Sequence, residues 1–145
     1  MRILEKITNL FHRQEDAELL DSGTLITKLS DGNNLVRGKQ TWEHAKEGKD
    51  NIQLMKECCD AEIAASQKTC FIPAPFYFRR VAILSRKNKD YEQEIQYCSL
   101  YLTALSKVRG EDSAVQVGAL ADWFVKRKEK AESLYAKKRE EGQVS

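Results

Sequence analysis

Apolar residues recur along most of this chain at steps of three and four, the spacing that lines up one face of an α-helix. In residues 1–13, Ile3, Leu4, Ile7, Leu10 and Phe11 fall on one side and Arg2, Glu5, Lys6 and Asn9 on the other, which predicts a short amphipathic helix. Such a helix packs on the body of the protein or on a second copy, or lies on a membrane surface; its few basic residues, with Glu5 among them, favour packing. In residues 16–29, Leu19, Leu20, Leu25, Ile26 and Leu29 suit a helix interrupted near Ser22-Gly23. The stretch TLITKLS also fits a short strand, but the rest of the chain lacks strand partners, so helix is expected. Asp31-Gly32-Asn33-Asn34 then forms a loop, built from residues that tolerate turn geometry.

Residues 40–67 carry Trp42, Ala45, Ile52, Met55, Cys59 and Ile63 at helical steps and predict one long helix. Gly48 is its weak point, costing about 1 kcal/mol relative to Ala in a helix interior. The helix must end before Pro73 and Pro75, because proline disfavours helical geometry in the residue before it. A helix pair follows over 76–88 and 91–107, separated by Asn88, Lys89 and Asp90. Asp90 is placed to cap the second helix, with Gln93 three residues on to complete a capping box. So short a connection makes the two helices an antiparallel hairpin. Gly110 is expected to end the hairpin, and Asp112 or Ser113 to cap a final helix over 113–140. The apolar stripe of that helix is Val117, Leu120, Ala121, Phe124, Ala131 and Tyr135, and its far half is charge-dense.

The expected fold is therefore all-α: a bundle of about five or six helices in one domain over 1–145, with N-terminal helices and a loop in 1–37. Unbroken helices of about 28 residues would run about 42 Å, against a radius of gyration of about 15 Å for a compact chain of this size. Either the molecule is elongated or the 40–67 helix breaks at Gly48.

The 145 residues are 41% hydrophobic and 32% charged, with 24 Lys+Arg against 22 Asp+Glu. A near-neutral balance argues against a DNA-packaging role but leaves room for a local basic patch. No apolar run approaches the ~20 residues of a bilayer span, so no membrane span is expected. The charged start, MRILEKITNLFHR, does not read as a secretory signal. Cys58, Cys59, Cys70 and Cys98 have no C-x-x-C spacing, so four free thiols and a cytoplasmic location are expected. His12 and His44 stand apart from any paired cysteines, so neither a metal nor another cofactor is expected.

The stretch FYFRRVAILSRKNKDYEQEIQYCSLYLTAL, residues 76–105, resembles a single tetratricopeptide repeat, a helix–turn–helix of about 34 residues. Phe78 falls at the first aromatic position, Val81-Ala82 on the Leu-Gly pair, and Lys89-Asp90-Tyr91 on the Gly-Asp-Tyr turn. Ile95 follows the site of the usual helix-B alanine, and Leu102 matches a late aliphatic position. Ser85, Glu94 and Tyr101 depart from the pattern, replacing an aromatic and two alanines, and no proline ends the repeat. One repeat cannot bury its own apolar faces, so the flanking helices must complete the core. The resemblance implies a tetratricopeptide-like bundle that holds a protein or peptide along helix 76–88. The polar residues implied for that groove are Arg79, Arg80, Arg86 and Lys87.

The same residues dominate the charge pattern. Between Ala64 and Lys89 there are six cations, Lys68, Arg79, Arg80, Arg86, Lys87 and Lys89, and no Asp or Glu. Phe71, Phe76, Tyr77 and Phe78 are interleaved with them. Such a surface would grip carboxylates or phosphates. The competing reading makes the aromatics core residues and pairs the arginines with Glu92, Glu94 or acids of the N-terminal third. The tail 126–139 is also basic, as an ordinary solvated helix end or as a nucleic-acid contact.

No glycine-rich phosphate loop, G-x-S-x-G or H-E-x-x-H occurs, so no enzymatic activity and no catalytic residues are expected. Cys70, near Lys68, is the best candidate for a reactive thiol. The leading expectation is a cytoplasmic protein-interaction module, with self-association through its long helices into a homo-oligomer as a related reading. The alternative is a nucleic-acid-binding accessory protein that uses 68–89 and the 126–139 tail.

Overall fold

The computed structural model describes residues 21–108 and 114–144. The helix expected over 1–13, the first part of the 16–29 segment, and the stop and cap expected at Gly110, Asp112 and Ser113 lie outside them. Among the described residues the fold is all-α, with five α-helices and one ribbon of two two-residue strands.

Helix α1 (Ser22–Leu29) begins where the Asp21 carboxylate accepts the Thr24 N–H at 2.8 Å and the Thr24 hydroxyl at 2.9 Å. This cap settles TLITKL as helix, and the helix starts at the Ser22-Gly23 interruption read from the sequence. Asp31 and Gly32, both with positive φ, turn the chain after Ser30. A ribbon that the helical periodicity concealed comes next. Strands β1 (Leu35–Val36) and β2 (Lys39–Gln40) pair antiparallel across Arg37-Gly38. Both turn residues have positive φ, 52° and 79°, as a tight two-residue hairpin turn requires. Arg37 Nη2 reaches Glu57 at 2.6 Å and ties this turn to the next helix.

The long helix expected over 40–67 is not continuous. Thr41–His44 form a 3-10 turn, and helix α2 runs only from Ile52 to Thr69. The cause is local competition. Glu43 folds back to accept the Gln40 N–H at 2.8 Å, His44 Nε2 donates to the Val36 carbonyl at 2.8 Å, and Asn51 caps α2 by accepting the Leu54 N–H. Gly48 is buried against His44 and Leu54, so the break falls beside the glycine singled out in the sequence. Trp42, counted in the apolar stripe, is instead 62% exposed.

Helix α2 stops at Cys70, which adopts a left-handed backbone (φ 59°), ahead of Pro73. Helix α3 (Pro75–Lys87) starts with its proline in the first turn, where the missing N–H is no loss. Helix α4 (Tyr91–Lys107) returns antiparallel after Lys89, whose positive φ closes the turn. Asp90 caps α4 by accepting the Gln93 N–H, but the Gln93 amide donates to Ser85 Oγ at 2.9 Å. The capping box is thus half formed, and its other half ties α4 to α3. Helix α5 (Ala114–Val144) has 31 residues and spans about 46 Å. It packs along α4 until Lys138 Nζ donates to the Lys89 carbonyl at the hairpin turn.

The core lies where α2, α3, α4 and α5 meet. Tyr101 stacks on Phe124 at 4.3 Å between centroids, touches Phe78 at 4.8 Å, and donates its hydroxyl to the Pro73 carbonyl at 2.8 Å. Met55, Cys58, Cys59, Val81, Ala82 and Cys98 close the layer around it. The flanking helices α2 and α5 therefore cover the two faces that a lone helical hairpin would leave bare. No described helix is long and apolar enough to cross a membrane.

Candidate functional site

Three of the four basic residues implied for the groove are engaged within the chain. Arg80 donates to the Lys49 carbonyl at 2.9 Å and to Asp50 at 2.8 Å, holding the loop before α2 against α3. Arg86 meets the buried Glu94 at 2.9 Å. Arg79 lies over the rings of Trp123 (5.2 Å) and Phe124 (5.9 Å), a cation–π arrangement. Lys87 is exposed. Lys68, further along the basic stretch, pairs with Asp31 at 3.6 Å. The pairing of Arg80 and Arg86 with acids of the N-terminal third and of α4 is the competing pattern read from the sequence. The interleaved aromatics divide: Tyr77 and Phe78 are buried, while Phe71 and Phe76 are each 38% exposed.

A well-formed concavity lies at the other end of α3. A cleft of about 640 Å³ opens between α1, the Thr41–His44 turn, α2 and the start of α3. That volume is in the range of small-ligand and side-chain pockets. Ile26, Ile72 and Ala74 give it apolar walls, Trp42 and Tyr77 supply aromatic rings, and Asn34, Thr41 and Glu62 supply polar groups. Asp21 stands at its edge.

The polar groups are held from four segments. Glu62, on α2, accepts the Thr41 hydroxyl at 2.6 Å on one oxygen and the Ala74 N–H at 3.1 Å on the other. No Lys, Arg or His side chain among the described residues pairs with it. Thr41 in turn donates its backbone N–H to the Asn34 carbonyl. Trp42 is fixed by its indole N–H, which donates to the Gln40 amide oxygen at 2.6 Å. Gly23 makes room for this pair, since a methyl group there would collide with both the Gln40 oxygen and the indole nitrogen. Burial pushes the Tyr77 hydroxyl up to about 12; the Thr41 side chain opposes the shift, and the Glu62 charge adds to it.

Sequence reasoning did not reach this site. Trp42 was legible only as part of a helical stripe, and Glu62 as one acid among many. The nearest signal was the Asp31–Asn34 loop, whose residue types announce a turn but not which side chain faces a cleft.

A second, smaller groove of about 270 Å³ runs between the C-terminal halves of α2 and α4, lined by Ile63, Gln67, Cys70, Leu100 and Lys107 among others. All four cysteines are free thiols; Cys70 is exposed and the other three are buried. Among the described residues no group of three or more His, Cys, Asp or Glu is placed to hold a metal ion. His44 is used structurally, through its bond to Val36. Comparison with known proteins returns no matching family model, no matching curated protein and no matching solved structure.

Proposed function

We propose that this chain is a protein-interaction module without enzymatic activity, which takes a protein or peptide segment into the cleft bordered by the start of α3. The observation that carries this reading is Trp42. A large indole 62% exposed at the rim of a preformed cleft supplies rigid contact area of the kind that anchors binding interfaces. The central α3–α4 hairpin, flanked by α2 and α5, supports a tetratricopeptide-like arrangement in which such a groove would hold its partner. In this reading Arg79, Arg80 and Arg86 maintain the scaffold, and Lys87 is left to make polar contacts at the surface. The nucleic-acid alternative rests on the exposed Lys126, Lys130, Lys137 and Arg139 of α5.

The test is capture from the native lysate with wild-type protein and Trp42→Ala, with and without nuclease, washed at moderate salt. A protein retained by the wild type, unaffected by nuclease and lost with Trp42→Ala is the expected result. Material that disappears with nuclease or falls away steeply as salt is raised would instead place binding on the basic surface. Equal retention by Trp42→Ala would remove the cleft from the interface.

A further inference from the structure

We infer that the cleft binds an organic ammonium group, the charged end of an alkylamine or of a lysine side chain, between Glu62, Asn34 and Trp42. This deepens the interaction reading and rests on the same cleft, but it specifies the chemistry of what enters.

Charge is the first argument. Glu62 is part-buried, and both of its observed partners, the Thr41 hydroxyl and the Ala74 N–H, are neutral. A carboxylate offers about four lone-pair sites, so accepting capacity remains on each oxygen. Among the described residues no cation lines the cleft, and the other charged residue at its wall is Asp21. A part-buried anion without a counter-charge is an unfavourable arrangement that a cationic ligand relieves.

Asn34 is the second argument. It lines the cleft, is 4% exposed, and its Oδ1 has no hydrogen-bond partner among the described residues. The orientation of its amide follows from the neighbouring bonds. Thr27 spends its hydroxyl proton on the Gly23 carbonyl at 2.9 Å, so Thr27 Oγ1 is an acceptor toward Asn34. The group that faces it at 2.9 Å is therefore the Asn34 NH₂, and the carbonyl oxygen is the end left over. A buried acceptor without a donor is costly. Asn34 belongs to the cleft wall but its Oδ1 is sealed from solvent, so an ammonium reaches it only as the wall shifts to admit the donor.

The aromatic rings are the third. An ammonium carries three donors and no acceptor. Two acceptors of different charge, Glu62 and Asn34, beside the rings of Trp42 and Tyr77, match that inventory, since ring faces attract cations. Ile26 and Ile72 offer apolar surface for the alkyl stem.

The experiment titrates the uniformly ¹⁵N-labelled full chain with n-butylammonium, n-butanol, acetyl-Gly-Lys-Gly-amide and the same peptide with its lysine acetylated. It reads the indole N–H of Trp42 and the side-chain amide of Asn34. The Trp123 indole, which lies by Arg79 and Arg127, is the internal control. The expected result is a saturable shift of Trp42 and Asn34 with the charged amine and the lysine peptide, and none with butanol or the acetylated peptide. Glu62→Gln, which keeps an acceptor and removes the charge, weakens binding by about ten-fold or more. No saturable shift with either charged probe, or an equal response to butanol, would overturn the inference. The butanol comparison uses wild-type protein, so it decides the matter even where Glu62→Gln fails to fold. Binding of butylammonium without the lysine peptide would keep the ammonium site and count against the protein-interaction reading. Capture of a partner through Trp42 without any ammonium response would do the reverse.

Discussion

Glu94 and Arg127, 33 residues apart, are joined in the centre of the bundle: Arg127 Nε donates to Glu94 Oε2 at 2.7 Å, and the carboxylate is fully buried. Arg86 supplies the other side, with its Nε at 3.1 Å from Oε1. One acid on α4 thus grips a cation on α3 and another on α5.

Breaking this clasp from the acidic side should be expensive, because it leaves two partly buried guanidiniums facing each other. Glu94→Gln is expected to lower stability by about 3 kcal/mol, at the lower end for a broken buried pair because both arginines retain some water. Urea denaturation measures it. Replacing Arg86 and Arg127 by Met in the same chain should restore much of the loss. A loss under about 1 kcal/mol for Glu94→Gln would show that the clasp contributes little.

Arg79 and Arg80 are adjacent in sequence but differ in setting, and their charge reversals should separate. The Arg79 guanidinium lies over Trp123 and Phe124, and its Nε is buried without a hydrogen-bond partner among the described residues. Arg79→Glu would press a carboxylate toward two ring faces, so melting followed by circular dichroism should show the larger drop. Arg80→Glu loses a bond to Asp50, which is well exposed, and the effect should be smaller. The opposite order would contradict the packing.

The buried thiols and phenols make stability pH-dependent on the alkaline side. Burial pushes Cys58 and Cys98 up to about 12, with nearby Glu62 and Glu94 charges adding to the respective shifts. Burial likewise raises Tyr97 to about 12. The unfolded chain loses these protons first, from about pH 8.5 for thiols. Between there and about pH 12 the folded state binds more protons, so stability falls as pH rises. The stabilisation is fully present below about pH 8.5. Urea midpoints measured from pH 7 to pH 11 should decline across this range, and a flat profile would refute the assignment.

Thiol labelling offers a faster check. Cys70 is exposed at the end of α2, while Cys58, Cys59 and Cys98 are buried. An aromatic disulfide reagent at pH 7.5 should modify Cys70 rapidly and the other three only on unfolding. Fast reaction of a second thiol in native protein would mean that the core opens readily.

Gly48→Ala tests the break before α2. In a continuous helix the change would stabilise, by about 1 kcal/mol on propensity alone. In the observed fold the added methyl meets the His44 carbonyl oxygen and the Leu54 side chain. A lower melting temperature is therefore expected, and a higher one would argue for the unbroken helix.

The hairpin of α3 and α4 was readable because its signals are local: Pro75 at the start, Asp90 at the second cap, and apolar residues at helical steps between them. The stretch from Leu35 to Asn51 was not, because two kinds of local order compete there. Its apolar spacing fits a helix, while Arg37-Gly38 and Asn51 favour a turn and a cap, and pairing of Leu35 with Gln40 and of Val36 with Lys39 tips the balance. The cleft was out of reach for a different reason. Asn34, Thr41, Glu62 and Ala74 come from four segments, and only their bonds to one another give them a common setting.

What the sequence by itself determined was the all-α class, the central hairpin, and the helix limits set by proline and by the Asp90 cap. Each follows from interactions within a few residues. Tertiary structure decided which arginine meets which acid, where Trp42 points, and which carboxylate is left without a cation among the described residues. Several of those outcomes depend on contacts between separate segments, as in Glu62 with Ala74, 12 residues apart, and Glu94 with Arg127, 33 apart, and residue periodicity carries no information at that range.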